Sequence, residues 1–301
     1  MSVTNLTFWE LRFQCQKRHS GLDPDVLDSY INERYRRLVR RVPWQRLKIQ
    51  SVIPTVAEYT AGTVAVTLGS DAITGTDTVW TAEMDGRCIR FGSDAAYYEF
   101  SYASATTGVL DRDYEGASDA LASYSIWQNI FPLPADCRQL VTIRVTDVAR
   151  DLDQVSAEEL DEMAATRTST GNPILYALHM DDGSAPPRQQ VEVYPVPIEV
   201  TALPFWYIQD PAMFDISETS SYFPTWINPN VIYDGVAADV CGKEKDYAGK
   251  KLYEADFLRG MNEMLAAECE RTPGAQIQMA ERFTRHRDRR GIALTFPFEL
   301  P

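Results

Sequence analysis

The sequence has no apolar run of about 18 residues, the length a helix needs to cross a bilayer, so neither a membrane-spanning helix nor a membrane partner is expected. It has no Walker loop, no GxGxxG after a strand, no HExxH and no GxSxG, so the common signatures of nucleotide binding, zinc hydrolysis and serine hydrolysis are missing. Histidine is scarce: His19, His179 and His286 are the whole supply, and no Ser or Cys sits in a nucleophile context. The five cysteines (Cys15, Cys88, Cys137, Cys241, Cys269) are odd in number, far apart and form no CxxC pair. They read as buried free thiols in a reducing compartment, not as a disulfide framework or zinc site. The N-terminus lacks a basic start followed by an apolar stretch, so a secretory signal is not expected. No catalytic residue, cofactor or metal site is therefore expected.

What is present is the composition of a globular protein. Of 301 residues, 45% are hydrophobic and 24% charged, enough for one large domain or two ordinary ones. The net charge of −14 is uneven. Residues 1–50 hold ten Lys/Arg against five Asp/Glu, residues 271–301 six against three, and residues 51–270 thirteen against thirty-five. An acidic body argues against a dedicated nucleic-acid binder, which needs a broad basic face. It suits a protein that repels DNA passing nearby, and ordinary solubility explains it equally well.

Periodicity divides the chain. A first helix is predicted over roughly 4–19. A second opens at Asp23, an N-cap, with Pro24 in the first helical position, and ends at Pro43. Val26, Leu27, Tyr30, Ile31, Leu38 and Val39 mark its apolar face, while Arg34, Arg37 and Arg41 form a row on another. That row reads either as a solvated face or as a contact for an acidic neighbour or phosphate. From 50 to about 130 short β-prone runs alternate with glycines, which suggests a small barrel or sandwich. Within it "AITGTDTVWTAEMDGRCIRFG" (72–92) reads as one hairpin, with Trp80, Ile89 and Phe91 as core.

Further on, Ser156 and Glu159 make a capping box for a short helix. "ILYALHM" and "QVEVYPV" read as a hairpin closed by Pro195 and Pro197, and "ALPFWYIQD" as a third strand. The chain turns helical from about 228, with Gly242 and Gly249 marking a turn. In the later helix Tyr247, Leu252, Ala255, Leu258, Met261 and Leu265 form the expected apolar face. The last thirty residues read as an extended arm. Arg282, Arg285, Arg287, Arg289 and Arg290 give it charge, and Phe296 and Phe298 an apolar anchor, so it is expected to bind a partner.

Two chemical possibilities remain from composition. Carboxylates are abundant and the β-strands are rich in aromatics, which suits carbohydrate binding or cleavage. Asp181 and Asp182 sit in a DDG turn that lacks the ligand spacing of an EF-hand loop.

Taken in order, several segments resemble the head-to-tail adaptor (connector) family of tailed bacteriophages. They are "LTFWELRFQCQKR" with "YRRLVRRVPWQ", "VTLGSDAITGTDTVWTAEMDGRCIRFG" with "YYEFSYASATTGVLDRDYEG", and "YSIWQNIFPLPADCRQL". "GNPILYALH" follows, then "QVEVYPVPIEVTALPFWYIQDP" and "FPTWINPNVIYDGVAADVCGKEKDYAGKKLYEADFLRGM". The resemblance covers roughly residues 1–270 and does not reach the arm. It implies an α+β protein: a helical bundle core from both chain ends, an inserted small β-barrel or sandwich, and an extended C-terminal arm. The corresponding expected boundaries are 1–49 and 226–270 for the core helices, 50–130 for the inserted β domain, 131–225 for linking strands and a short helix, and 271–301 for the arm. It also implies a virion protein at the head–tail junction, made in the host cytoplasm. Such proteins form a ring, usually of twelve copies, bind the portal protein and a downstream nozzle or tube protein, and let DNA pass through the lumen. No catalytic residues carry over. The arm residues are then portal or neighbour contacts, and Arg34, Arg37 and Arg41 a secondary contact. Another tail ring component is the nearest alternative.

Overall fold

The computed structural model describes residues 6–19, 21–146, 150–167, 169–180, 183–214 and 223–271. In chain order the elements begin with helices α1 (Phe8–Arg18) and α2 (Pro24–Arg41). Strands follow: β1 (Lys48–Pro54), β2 (Thr63–Val66), β3 (Ala72–Thr76), β4 (Arg87–Phe91), β5 (Tyr98–Tyr102), β6 (Thr107–Leu110), β7 (Asp119–Ala122), β8 (Tyr124–Trp127), β9 (Ile130–Pro132) and β10 (Cys137–Val145). Short strands β11 (Arg150–Asp151) and β12 (Asp153–Gln154) precede α3 (Ala157–Ala164). Then come β13 (Leu175–His179), β14 (Gln190–Tyr194), β15 (Ala202–Gln209), α4 (Pro229–Lys243) and α5 (Tyr247–Arg271). The protein is thus α+β. It divides into two compact units, one from Met1–Gln45 with Pro211–Pro301 and one from Arg46–Asp210.

In the first unit the helix starts follow from local chemistry. Thr7 and Glu10 form a full capping box on α1: Glu10 N–H donates to Thr7 Oγ1 at 3.2 Å, and Thr7 N–H donates to Glu10 Oε2 at 2.9 Å. Asp23 caps α2 with Pro24 in its first turn, and Asn228 caps α4 with Pro229 next. The expected face of α2 is buried at Leu27, Ile31, Leu38 and Val39, joined by Tyr35. Phe8, Tyr35, Phe214 and Phe223 pack as an aromatic cluster with centroid separations of 4.5–6.3 Å. Helices α4 and α5 pack against each other closely because Gly260 lies against Val231, where a Cβ would fall 2.6 Å from the valine Cγ2. Lys245, at φ 61°, makes the turn between them.

The core face of α5 differs from the expected one. Met261 is buried as predicted, but its buried companion is Phe257. Tyr247 and Leu252 are exposed and Leu258 and Leu265 half-buried. The spacing between two apolar rows of this helix is small, and the glycine at 260 decides which row meets α4.

The second unit holds a seven-stranded antiparallel sheet in the order β7-β2-β3-β6-β5-β4-β8. It is nearly closed: β7 and β8 are consecutive strands at its two edges, and a bridge between Tyr59 and Ile126 links β8 to the segment leading into β2. Inward residues alternate along each strand. Val64, Val66, Ile73, Trp80, Ile89, Phe91, Tyr98, Phe100, Tyr124 and Ile126 form its core. Gly108 is required there, because a Cβ would lie 2.2 Å from the Phe100 ring. Residues 72–92 do not form one hairpin. β3 pairs with β6 and β4 with β5 and β8, so the two strands belong to one sheet without being neighbours. Trp80, Ile89 and Phe91 are buried, as the sequence indicated.

Two further sheets complete this unit, in the orders β1-β15-β10-β11 and β12-β13-β14-β9. They share a core that includes Phe131, Ile143, Tyr176, Val191, Val193, Leu203 and Phe205. The predicted hairpin of β13 and β14 is present. β15 is a strand but pairs with β1 and β10 rather than extending that hairpin.

Candidate functional site

The most chemistry-like cluster is buried in the second unit around Glu192. Its Oε1 accepts from Asn129 Nδ2 at 2.7 Å and Arg167 Nε at 2.6 Å, and its Oε2 lies 3.0 Å from His179 Nε2. Arg167 also donates to Asp161 at 2.6 Å and to the carbonyls of Leu160 and Ala164. It thereby caps the C-terminus of α3, where a cation is favoured. Burial opposes the charge on Arg167, but its hydrogen bonds to Glu192 and Asp161 outweigh it and raise its pKa. A satisfied network of this kind ties α3 to the sheet and leaves the carboxylate no open lone pair for a substrate.

The thiols point the same way. Burial pushes Cys15 and Cys88 up to about 12 and Cys137 up to about 11, which suppresses the nucleophilic thiolate. Among the described residues no group of three or more His, Cys, Asp or Glu is placed to hold a metal ion. No helix among them is long and apolar enough to cross a membrane. Most of the large aromatics of the seven-stranded sheet are turned inward: Trp80, Phe91, Tyr98, Phe100 and Tyr124 belong to its core, whereas Trp206 of β15 is partly exposed.

The predicted arginine row divides. Arg34 is buried, contrary to a solvated face, and is held by acids of the same unit. Its Nε donates to Asp239 Oδ2 at 2.6 Å, its Nη1 donates to Glu254 Oε2 at 2.6 Å, and its Nη2 pairs with Asp239 Oδ1. Burial disfavours its charge, yet the hydrogen bonds to Asp239 and Glu254 prevail and raise its pKa. Arg37 reaches the other oxygen of Glu254 at 2.7 Å and stays half-exposed. Both guanidinium groups lie over the Phe257 ring, at 5.1 and 5.7 Å. Arg41 is exposed. The acidic neighbour of Arg34 and Arg37 is therefore α4 and α5 of the same chain. Arg282, Arg285, Arg287, Arg289, Arg290, Phe296 and Phe298, like the Asp181–Asp182 turn, lie outside the described residues.

Exposed apolar surface in the helical unit is concentrated in two places, one that the sequence reading did not single out and one that it took for core. On α1, Phe8, Leu11 and Cys15 face the core, whereas Trp9 and Phe13 are 53% and 42% exposed. Their rings stack at 5.4 Å with an interplanar angle of 8°, and Lys17 lies 4.6 Å over Phe13. On α5, Tyr247, Lys250, Lys251, Glu254, Ala255 and Leu258 line a shallow groove. Tyr247 is 72% exposed there. An aromatic pair at i and i+4, off the i, i+3, i+7 core row of α1, was the available signal for the first.

Comparison with known protein families places one model on the chain: that of the SU10 adaptor protein, which matches residues 120–280. The match begins in β7 and runs through β15, α4 and α5, so it takes in parts of both compact units. Among curated proteins no match is found.

Proposed function

The chain belongs to the SU10 adaptor protein family, a phage head-to-tail adaptor family, and on that premise we propose that it forms the adaptor ring of the head–tail junction. The ring is a structural part of the virion, without catalytic activity, and usually of twelve copies. One end attaches to the portal protein and the other to the next tail component, a nozzle or tube, and DNA passes through the lumen. The observation that carries this reading is the family match over 120–280.

Physical features support it. Helices from both chain ends meet in one compact unit, which suits a ring core of α1, α2, α4 and α5 with the β unit inserted in the sequence between them. Residues 51–270 hold thirteen Lys/Arg against thirty-five Asp/Glu, which gives a lumen little affinity for DNA, so the duplex slides. The arm from 275 to 301, with its arginines and Phe296 and Phe298, docks on the portal or a neighbouring subunit. Arg41 and the exposed part of Arg37 remain for a secondary contact.

Electron microscopy of the full chain mixed with its portal tests the reading. The expected image is a ring seated on the portal, from which symmetry and contacting end are read directly. A chain that never assembles in the presence of portal overturns it. Deleting 275–301 is expected to abolish portal attachment, and undiminished binding would remove the role given to the arm.

A further inference from the structure

We infer that residues 292–300 of one copy add as a strand to the open edge of β1 in the next copy. The inference rests on the ring reading above, in which the arm docks on the portal or a neighbour. It selects the neighbour and names the site and the mode of contact.

The edge comes first. β1 has seven residues, lies at the end of its sheet and pairs only with β15. The other strands that end a sheet are short, from the two residues of β11 and β12 to the four of β7 and β8. Thr55 N–H donates to the Thr201 carbonyl at 2.9 Å. Backbone groups alternate in direction along an antiparallel ladder, so Ile49, Ser51 and Ile53 bond β15, while Lys48, Gln50 and Val52 turn N–H and C=O outward. Among the described residues none of those outward groups has a partner. Pro54, the next outward position, has no N–H to leave unpaired, which is where an edge strand admits proline. The face beside this edge is apolar in water: Val52 is 51% and Trp206 36% exposed, with Val52 opposite Pro204 and Gln50 opposite Trp206. An unpaired edge with an apolar flank is a template for a further strand.

The sequence supplies the strand. In "IALTFPFEL" every second residue is a large apolar one: Ile292, Leu294, Phe296, Phe298 and Leu300. Pro297 fixes the parity. Proline cannot donate, so it must face away from β1, which leaves the even-numbered residues to bond the edge. Directly paired residues share a face, so the apolar row falls on the Val52 and Trp206 side. Pro297 then lies on the new outer edge, where its missing N–H stops further addition. Charge fixes the direction. A parallel strand would bring Arg289 and Arg290 towards Lys48. An antiparallel strand with Phe296 beside Val52 puts Phe298 beside Gln50 and Arg290 level with Glu58. Glu199 is exposed nearby, next to the Ile198 carbonyl that accepts from Glu58 N–H, and neither acid is ion-paired among the described residues. The preceding residues 272–291 span up to roughly 65 Å at about 3.3 Å per residue, a tether that reaches a neighbour. Each copy carries one edge and one segment, so head-to-tail exchange leaves neither unpaired once the ring closes.

The test uses full-length protein assembled on its portal. Two single variants, Val52→Cys and Phe296→Cys, are mixed in equal amounts and treated with a short bis-maleimide, which tolerates a shift of one residue pair along the edge. Linked peptides are identified by mass spectrometry. The expected product joins positions 52 and 296, and in this mixture it forms only between copies. Hydrogen exchange on the unsubstituted protein needs no variant to fold: the amides of Gln50 and Val52 should exchange at least about tenfold more slowly in the ring than in the unassembled chain. Val52→Pro removes one outward N–H and spares the β15 ladder, so it should abolish that slowing at Gln50. Rings that lack the link, rings whose segment links only to portal, or edge amides that exchange as in the unassembled chain overturn the inference and leave the adaptor reading intact. Failure of the unsubstituted protein to form rings on portal overturns the adaptor reading, and the inference falls with it.

Discussion

Removing the Arg34 guanidinium is the sharpest test of how the helical unit is held together. In Arg34→Ala, Asp239 loses its bidentate partner and Glu254 loses one of two arginines. Taking one partner from a fully buried ion pair costs about 3–5 kcal/mol, most of it from the charge left behind. Here the side chains of Asp239 and Glu254 keep 20% and 23% exposure, and Glu254 keeps Arg37, so the stranded charges reach some water. The low end applies, about 3 kcal/mol. The lost stem adds a packing defect, because the arginine Cδ lies where a Cβ on Gly235 would be 2.8 Å away and its guanidinium covers Phe257. Hydrogen exchange of amides in α2, α4 and α5 reads the loss directly, since core amides open with the free energy of the unit they belong to. Exchange should quicken about 150-fold at 3 kcal/mol. Arg34→Lys should recover only part, because an ammonium cannot span both acids as a planar fork does. A change under about fivefold in α4 and α5 would refute the view that Arg34 is the charged tie of this unit.

Other parts of the fold give their own expectations. Burial raises the Asp28 pKa above the usual 3.8, with Arg12 opposing. A raised folded-state pKa on an acid means the native state holds the proton more tightly, so Asp28's contribution is fully present below 3.8 and is lost as pH rises through its raised value. Asp28→Asn should therefore gain stability relative to the unsubstituted protein between pH 3.5 and pH 7, read from paired urea titrations (about these two pH values); an equal difference at both ends would contradict it. The thiols of Cys15, Cys88 and Cys137 should resist a thiol reagent at neutral pH and react readily once urea unfolds the chain; rapid native labelling would show a wrong burial. Gly108→Ala should destabilise the barrel by about 1–3 kcal/mol through the clash with Phe100, measured by thermal melting, and an unchanged midpoint would count against the packing described.

How far the fold could be read from sequence depended on whether the signal was local. Asp23–Pro24, Ser156–Glu159, and the prolines after Tyr194 act within a few residues, and each element starts or stops where they indicated. Strand content between 50 and 130 was legible from alternation, because inward and outward residues differ in kind. Pairing was not. β3 and β4 are close in sequence and looked like a hairpin, but β5 and β6, the next two strands in the chain, lie between them in the sheet. That choice is made by pairings distant in sequence, such as Ala72 with Val109 and Cys88 with Trp127, which no short window contains. The α5 face failed for a related reason. Two apolar rows compete on one helix, and a glycine opposite Val231 selects between them.

The site was harder to read because charge along a chain does not predict charge on a surface. The arginine row of α2 read as a solvated face or as a contact for an acidic neighbour or phosphate, and residues 51–270 as an acidic body. In the folded unit these blocks meet: Arg34 and Arg37 of α2 bind Asp239 and Glu254 from the acidic stretch, and Arg167 is likewise consumed by Glu192 and Asp161. Opposite charges at distant positions are drawn into the interior when aromatic surface such as Phe257 shields them from water, because each makes the burial of the other tolerable. Arginines in an acidic protein are thus poor pointers to partners until the intrachain acids have been assigned. Exposed aromatics obey the opposite rule. Among the described residues Trp9 and Phe13 have only their mutual stacking and Lys17 over Phe13, and both rings stay about half in water, so they mark a contact surface more directly than the arginine row.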